Sequence, residues 1–228
     1  MADILYLGYF GSIVRADADA SSDADVLCVL NSNAKVTDVE VRQLADPKII
    51  GRRHVDLSIY GCQRFKEMWA EGHLFAWHIF LESRPFNGYD EFRCRMGTPG
   101  EYVNAVVDIT RLRELLIDVK SSLGKNIVSK VYEAGLIYVA ARNIGICASW
   151  YSDSGLNFSR LSPYSVTLCE RPIPFPVDAE AYAKLCAARH AAMRGEKSPD
   201  LDILELRAIC DNVLNWSDRV LSGIKVLS

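Results

Sequence analysis

Apolar and polar positions alternate in two different rhythms along this chain. In the first hundred residues short apolar runs are cut by polar turns. Ile4, Leu5, Tyr6, Leu7, Tyr9 and Phe10 form one run, and Val26, Leu27, Cys28, Val29 and Leu30 form a second. His54-Val55-Asp56-Leu57-Ser58-Ile59-Tyr60 alternates with period two, so Val55, Leu57 and Ile59 are expected to face the core and Asp56, Ser58 and Tyr60 the opposite side. Gln63 to Glu71 switches to helical spacing with Phe65, Met68 and Trp69 on one face. Leu74 to Leu81 reads as a buried helix or a strand, and Thr37 to Leu44 as a weak helix.

After Gly97-Thr98-Pro99-Gly100, the strongest linker signal, the pattern becomes helical. Leu112, Leu115, Leu116, Val119 and Leu123 share a stripe, with Asp108 or Thr110 as cap. Asn126 to Trp150 is apolar almost all round and predicts a central helix. Pro163 to Pro176 predicts an extended, irregular segment. Asp178 opens a helix with Tyr182, Leu185, Cys186 and Met193 inward and Gly195 at its end. Ser198-Pro199 reads as the start of a last helix that buries Leu206, Ile209, Val213, Trp216 and Val220. The expected fold is α+β: a small mixed sheet with flanking helices over residues 1–107, then a helical bundle over 108–228.

Composition narrows the setting. The chain has 228 residues, half of them apolar, and a formal net charge of −3, which argues against a protein that coats long nucleic acid. Its seven cysteines are scattered, without a C-x-x-C pair, so neither a disulfide framework nor a zinc site is predicted, and a reducing cytoplasm is the expected location. No leader pattern and no apolar run of membrane-spanning length occurs.

The chemistry concentrates in Gly11 to Asp25, GSIVRADADASSDAD. Asp23 and Asp25 lie two apart at the start of a strand and therefore on one face. Such carboxylates repel unless a cation sits between them, and Mg²⁺, with its preference for hard oxygen ligands and phosphates, suits them. Gly11-Ser12 offers a turn where backbone can approach a phosphate. The intervening segment, with Asp17, Asp19, Ser21 and Ser22, is polar and expected at the surface.

A Gly-Ser pair, ten residues, then Asp-x-Asp before an apolar run resembles the signature of the polymerase-β-type nucleotidyltransferases, in the minimal, kanamycin-nucleotidyltransferase-like form. The match covers Ile4 to Tyr60. The resemblance implies a palm-like catalytic domain and a third carboxylate on a neighbouring strand, the slot that Asp56 fits. It implies two Mg²⁺ held by Asp23, Asp25 and Asp56, with Gly11 and Ser12 at the pyrophosphate of a nucleoside triphosphate. Arg15 stands where the family often has a basic residue; it either meets phosphate or lies on a solvated turn. The family places a helix before the first strand, and here that strand begins almost at Met1, so another element or a partner chain would cover that side.

Other chemistries find less support. No G-x-S-x-G elbow occurs, and Gly124-Lys125-Asn126 lacks the upstream glycine and the hydroxyl of a P-loop. Arg142-Asn143 resembles the start of the Arg-polar-x4-His motif of helical toxins encoded beside small nucleotidyltransferases, but Ala148 stands where the His belongs. His78 reads as a core histidine, and Lys48, Arg52 and Arg53 as a solvated cluster before the third strand. The expected function is transfer of a nucleoside monophosphate to an acceptor hydroxyl on a small molecule or a protein, with a tRNA end still open as acceptor and an oligomer as an open state. The alternative is an antitoxin-like or regulatory binding protein of a toxin–antitoxin or phage-defence pair that keeps the fold without turnover.

Overall fold

The computed structural model describes residues 3–17, 23–44, 51, 53–86, 89, 91–125 and 127–226. Asp19, Ser21, Ser22, Lys48, Arg52, Gly88, Asp90 and Asn126 lie outside the described residues. The fold is α+β, and the chain divides into two compact units, Met1–Val103 and Asn104–Ser228.

The first unit is built on a four-stranded mixed sheet of order β3-β2-β1-β4, with β1 Ile4–Phe10, β2 Ala24–Leu30, β3 Val55–Gly61 and β4 Ser83–Pro85. β2 runs antiparallel to β1 and parallel to β3, and β4 runs antiparallel to β1. The two central strands are apolar nearly throughout because both their faces are covered. On one face Leu7, Val26 and Cys28 pack with Val41 of helix α2 (Asp38–Leu44) and with Phe86; Val55, Leu57 and Tyr89 lie against them. On the other face Tyr6, Phe10, Leu27 and Val29 pack with Phe65 and Trp69 of α3 (Cys62–Ala70) and with Ala76 and Ile79 of α4 (Leu74–Glu82). The β4 edge is blunted: this strand has three residues and carries Pro85, whose missing N–H costs an edge strand nothing.

Leu74–Glu82 takes the helical of its two expected forms, begun by His73, whose Nδ1 accepts the Phe75 N–H at 3.1 Å. Three local expectations change. Ile59 is 38% exposed while Tyr60 packs into the aromatic core beside Phe65 and Phe75, because β3 is an edge strand with little covering its Ile59 face. Arg53 is half-buried rather than solvated. The Gly97 to Gly100 stretch, read as a linker, is tied back: Gly100 donates to the Trp69 carbonyl at 2.9 Å and accepts the Trp77 indole N–H at 2.9 Å.

The second unit holds α6 (Ala105–Leu123), α7 (Lys130–Ser149), α8 (Ala179–Arg194) and α9 (Ile203–Ile224), following α5 (Glu91–Met96) of the first unit. As expected, α7 is central and packs against the other three long helices. The segment after it is irregular and carries, among the described residues, a 3₁₀ turn at Ser162–Ser165 and a ribbon of Thr167–Leu168 against Arg171–Pro172. The α9 stripe of Leu206, Ile209, Val213, Trp216 and Val220 is buried, and the Trp216 indole donates to the Ile173 carbonyl at 3.2 Å. Met193 is 64% exposed, since it falls in the last turn of α8, past Ala191, the last buried residue of the stripe. Caps also move from their expected places. α6 follows Asn104 rather than Asp108 or Thr110, and α9 follows Asp202 rather than Ser198. Asp202 accepts from the Leu204 and Glu205 N–H groups at 2.8 and 2.9 Å, so Asp202→Ala is expected to cost about 1 kcal/mol in a urea titration.

Five of the seven cysteines are buried, and burial pushes the Cys28 thiol up to about 11 and the Cys210 thiol up to about 12. These thiols fill space and are not nucleophiles at neutral pH. No helix among the described residues is long and apolar enough to cross a membrane.

Candidate active site

The ends of three strands set the site. Register places Phe10 of β1 opposite Asp25 of β2, and Asp25 opposite Asp56 of β3, with Ser83 of β4 on the far side of Phe10. Side chains in one such row share a face. Asp25 and Asp56 therefore sit side by side on the face that α3 and α4 cover, beyond the end of the aromatic core. Two carboxylates separated by 31 positions in the chain become strand neighbours through the parallel pairing alone.

Gly11 follows β1 directly and introduces the four-residue helix α1, Ser12–Arg15. Its φ of 73° and ψ of −134° lie where side chains are scarcely tolerated. A Cβ there would stand 3.1 Å from Asp25 Oδ2 and 3.6 Å from His78 Nε2. The missing side chain thus leaves open the space between a carboxylate and an imidazole. The Gly11 N–H donates to the Glu82 carbonyl at 3.0 Å, which fastens the turn to the end of α4.

Asp23 lies just before β2, where its carboxylate approaches His54 Nδ1 at 3.7 Å. Asp56 is exposed, and Asp25 and Ser12 are half-buried. Among the described residues no three His, Cys, Asp or Glu side chains converge tightly enough to hold a metal ion. The structure thus joins Asp25 to Gly11 and to the Asp56 strand, and turns Asp23 toward His54. Carboxylate oxygens are the donors a hard divalent cation prefers, and Asp25 and Asp56 stand in register with no side chain on Gly11 between Asp25 and the Gly-Ser turn.

Arg15 is not on a solvated turn. Its Nε donates to Asp17 Oδ2 at 3.1 Å, its Nη1 contacts Glu82 Oε2, and the side chain is 21% exposed. His78 is more than a core histidine: its Nε2 lies 3.0 Å from the same Glu82 oxygen, and its ring meets Phe10 edge-on. Glu82 is the residue that sequence reasoning missed. Its one signal is the acidic end of an apolar helix, four positions after His78.

Arg142 serves structure. It donates to the Phe158 carbonyl at 2.8 Å while its own carbonyl accepts from Ser162, and Ala148, where a toxin histidine would stand, is fully buried.

No protein-family model matches this chain, and no curated protein matches it. Among solved structures, the spectinomycin adenyltransferase AAD(9) from Enterococcus faecialis, determined with ATP and spectinomycin, aligns over 95% of this chain and 92% of that chain. The alignment has a TM-score of 0.49 and 10% sequence identity.

Proposed function

We propose that the chain is a Mg²⁺-dependent nucleotidyltransferase of the polymerase-β type that moves a nucleoside monophosphate from a nucleoside triphosphate to an acceptor hydroxyl. One observation carries this reading: Asp25 and Asp56 are register partners on adjacent strands, and Gly11 leaves the Asp25 carboxylate approachable from the Gly-Ser turn. Asp23, Asp25 and Asp56 would hold the metal ions. When bound, these ions would neutralise charge on the attacking and leaving oxygens of an in-line displacement. Gly11 and Ser12 would face the leaving pyrophosphate, with Arg15 as the nearby cation. Asp56, the most exposed of the three acids, would orient the acceptor hydroxyl and accept its proton.

The acceptor is a small molecule or a protein hydroxyl. The net charge is −3, and Glu114 and Asp118 interrupt the basic residues between Arg111 and Lys130. A long nucleic acid needs a continuous basic track, since affinity grows with each phosphate neutralised.

The test is thermal. A nucleoside triphosphate near 100 times its Kd is expected to stabilise the protein by about 2.7 kcal/mol with Mg²⁺, and by much less with EDTA. Equal shifts in the two conditions would place the nucleotide in a metal-free pocket and overturn the assignment. Incubation with α-labelled triphosphate and, in parallel, aminoglycosides, a soluble protein extract and purified tRNA then identifies the acceptor. Label mainly in the RNA would overturn the small-molecule or protein preference.

A further inference from the structure

Glu82 ends α4 with both its main chain and its side chain turned to the Gly11–Ser12 turn. Its carbonyl accepts the Gly11 N–H, and its Oε2 meets Arg15 Nη1 and His78 Nε2. The residue beside it is locked in turn. Ser83 Oγ accepts the Tyr6 hydroxyl proton at 2.9 Å and donates to the Ile79 carbonyl at 2.6 Å; Arg93 donates to the Ser83 carbonyl and hydroxyl at 3.0 Å. The Glu82 and His78 side chains are only 14% and 15% exposed. The Arg15–Glu82 ion pair, so withdrawn from water, is screened much less than a surface pair.

We propose that Glu82, steadied by His78, is a positioning residue that presets the Arg15 guanidinium for a phosphate oxygen of the nucleoside triphosphate. The proposal rests on the nucleotidyl-transfer reading above. Asp17 holds Nε and Glu82 holds Nη1, which fixes the plane of the guanidinium, while Nη2 donates to none of the described residues. Arginine carries large rotamer entropy. Ordering it during folding removes that cost from nucleotide binding. Glu82 also carries a negative charge that opposes a triphosphate. That charge is matched by Arg15 on the same oxygen, so the ordering effect is the larger.

The test is isothermal titration of the full chain with ATP, GTP, CTP and UTP, each with Mg²⁺, taking the one that binds tightest. Glu82→Gln is expected to weaken binding about tenfold, and Arg15→Met by a similar factor. The double variant is expected to bind no more weakly than Arg15→Met alone, because both changes remove one interaction. A merely structural Glu82 would lower the melting temperature and leave the Kd of the folded protein unchanged. Unchanged or tighter binding by Glu82→Gln, or losses that add in the double variant, would overturn the proposal. Should Glu82→Gln fail to fold, His78→Phe fills the ring's place beside Phe10 and frees the Glu82 oxygen; it is expected to weaken binding about threefold, and wild-type affinity would overturn the proposal equally. A wild-type protein that binds none of the four triphosphates would instead sink the nucleotidyl-transfer reading, and this inference with it.

Discussion

Asp25→Asn is expected to lower nucleotidyl transfer by about 10³-fold, close to 4 kcal/mol of transition-state stabilisation, while the melting temperature stays level or rises. The substitution keeps the shape of the side chain and removes one negative charge. Asp25 lies opposite Asp56 and two residues from Asp23, so the wild-type protein holds three like charges at one end of the sheet. Neutralising one relieves their repulsion. Activity and stability should therefore move apart, which is the mark of a residue kept for chemistry. Transfer at the wild-type rate, or a melting temperature that falls steeply, would remove the main support for the site. The measurement is initial rate with saturating triphosphate beside a thermal melt of the same preparation.

Gly11→Ala is expected to lose in both quantities. The backbone at Gly11 has a positive φ with a strongly negative ψ, and a non-glycine residue there costs about 1–3 kcal/mol. The new Cβ, 3.1 Å from Asp25 Oδ2, also forces that carboxylate to shift by a few tenths of an ångström. Small displacements of positioning groups are costly, and a drop in transfer of about 10²-fold is expected. Gly97→Ala supplies the control. Gly97 has a similar φ of 67°, and a Cβ there meets no atom within 4 Å. It should lose about 1–2 kcal/mol of stability and keep its transfer rate. If both variants lost transfer equally, the effect at Gly11 would be strain alone and contact with Asp25 would play no part.

The acceptor preference and the positioning role of Glu82 depend on different observations, the charge pattern and the Arg15–Glu82–His78 contacts. Either can fail while the other stands. Both depend on the proposed nucleotidyl-transfer reading, so the magnesium-dependent melting shift is the first experiment to run.

The sequence by itself determined the features that repeat at short range. Apolar runs bounded by polar turns placed β1 and β2, because a strand covered on both faces has no polar side to show. The stripe from Leu206 to Val220 placed α9, because 3.6 residues per turn bring those side chains to one face. The i, i+2 spacing of Asp23 and Asp25 was legible for the same reason. Facing held even at the edge of the sheet, with Tyr60 on the Asp56 side, but burial did not: Ile59 is exposed and Tyr60 joins the aromatic core, since what covers each face of an edge strand is set by distant parts of the chain. Only the tertiary structure decided that β3 lies parallel beside β2, and so made Asp25 and Asp56 neighbours. It alone turned Asp23 toward His54 and brought Glu82 to Arg15 across 67 positions. No periodicity records such a contact, because it comes from the packing of α4 on the sheet, and a residue's own neighbours in sequence carry no trace of the partner that folding will supply.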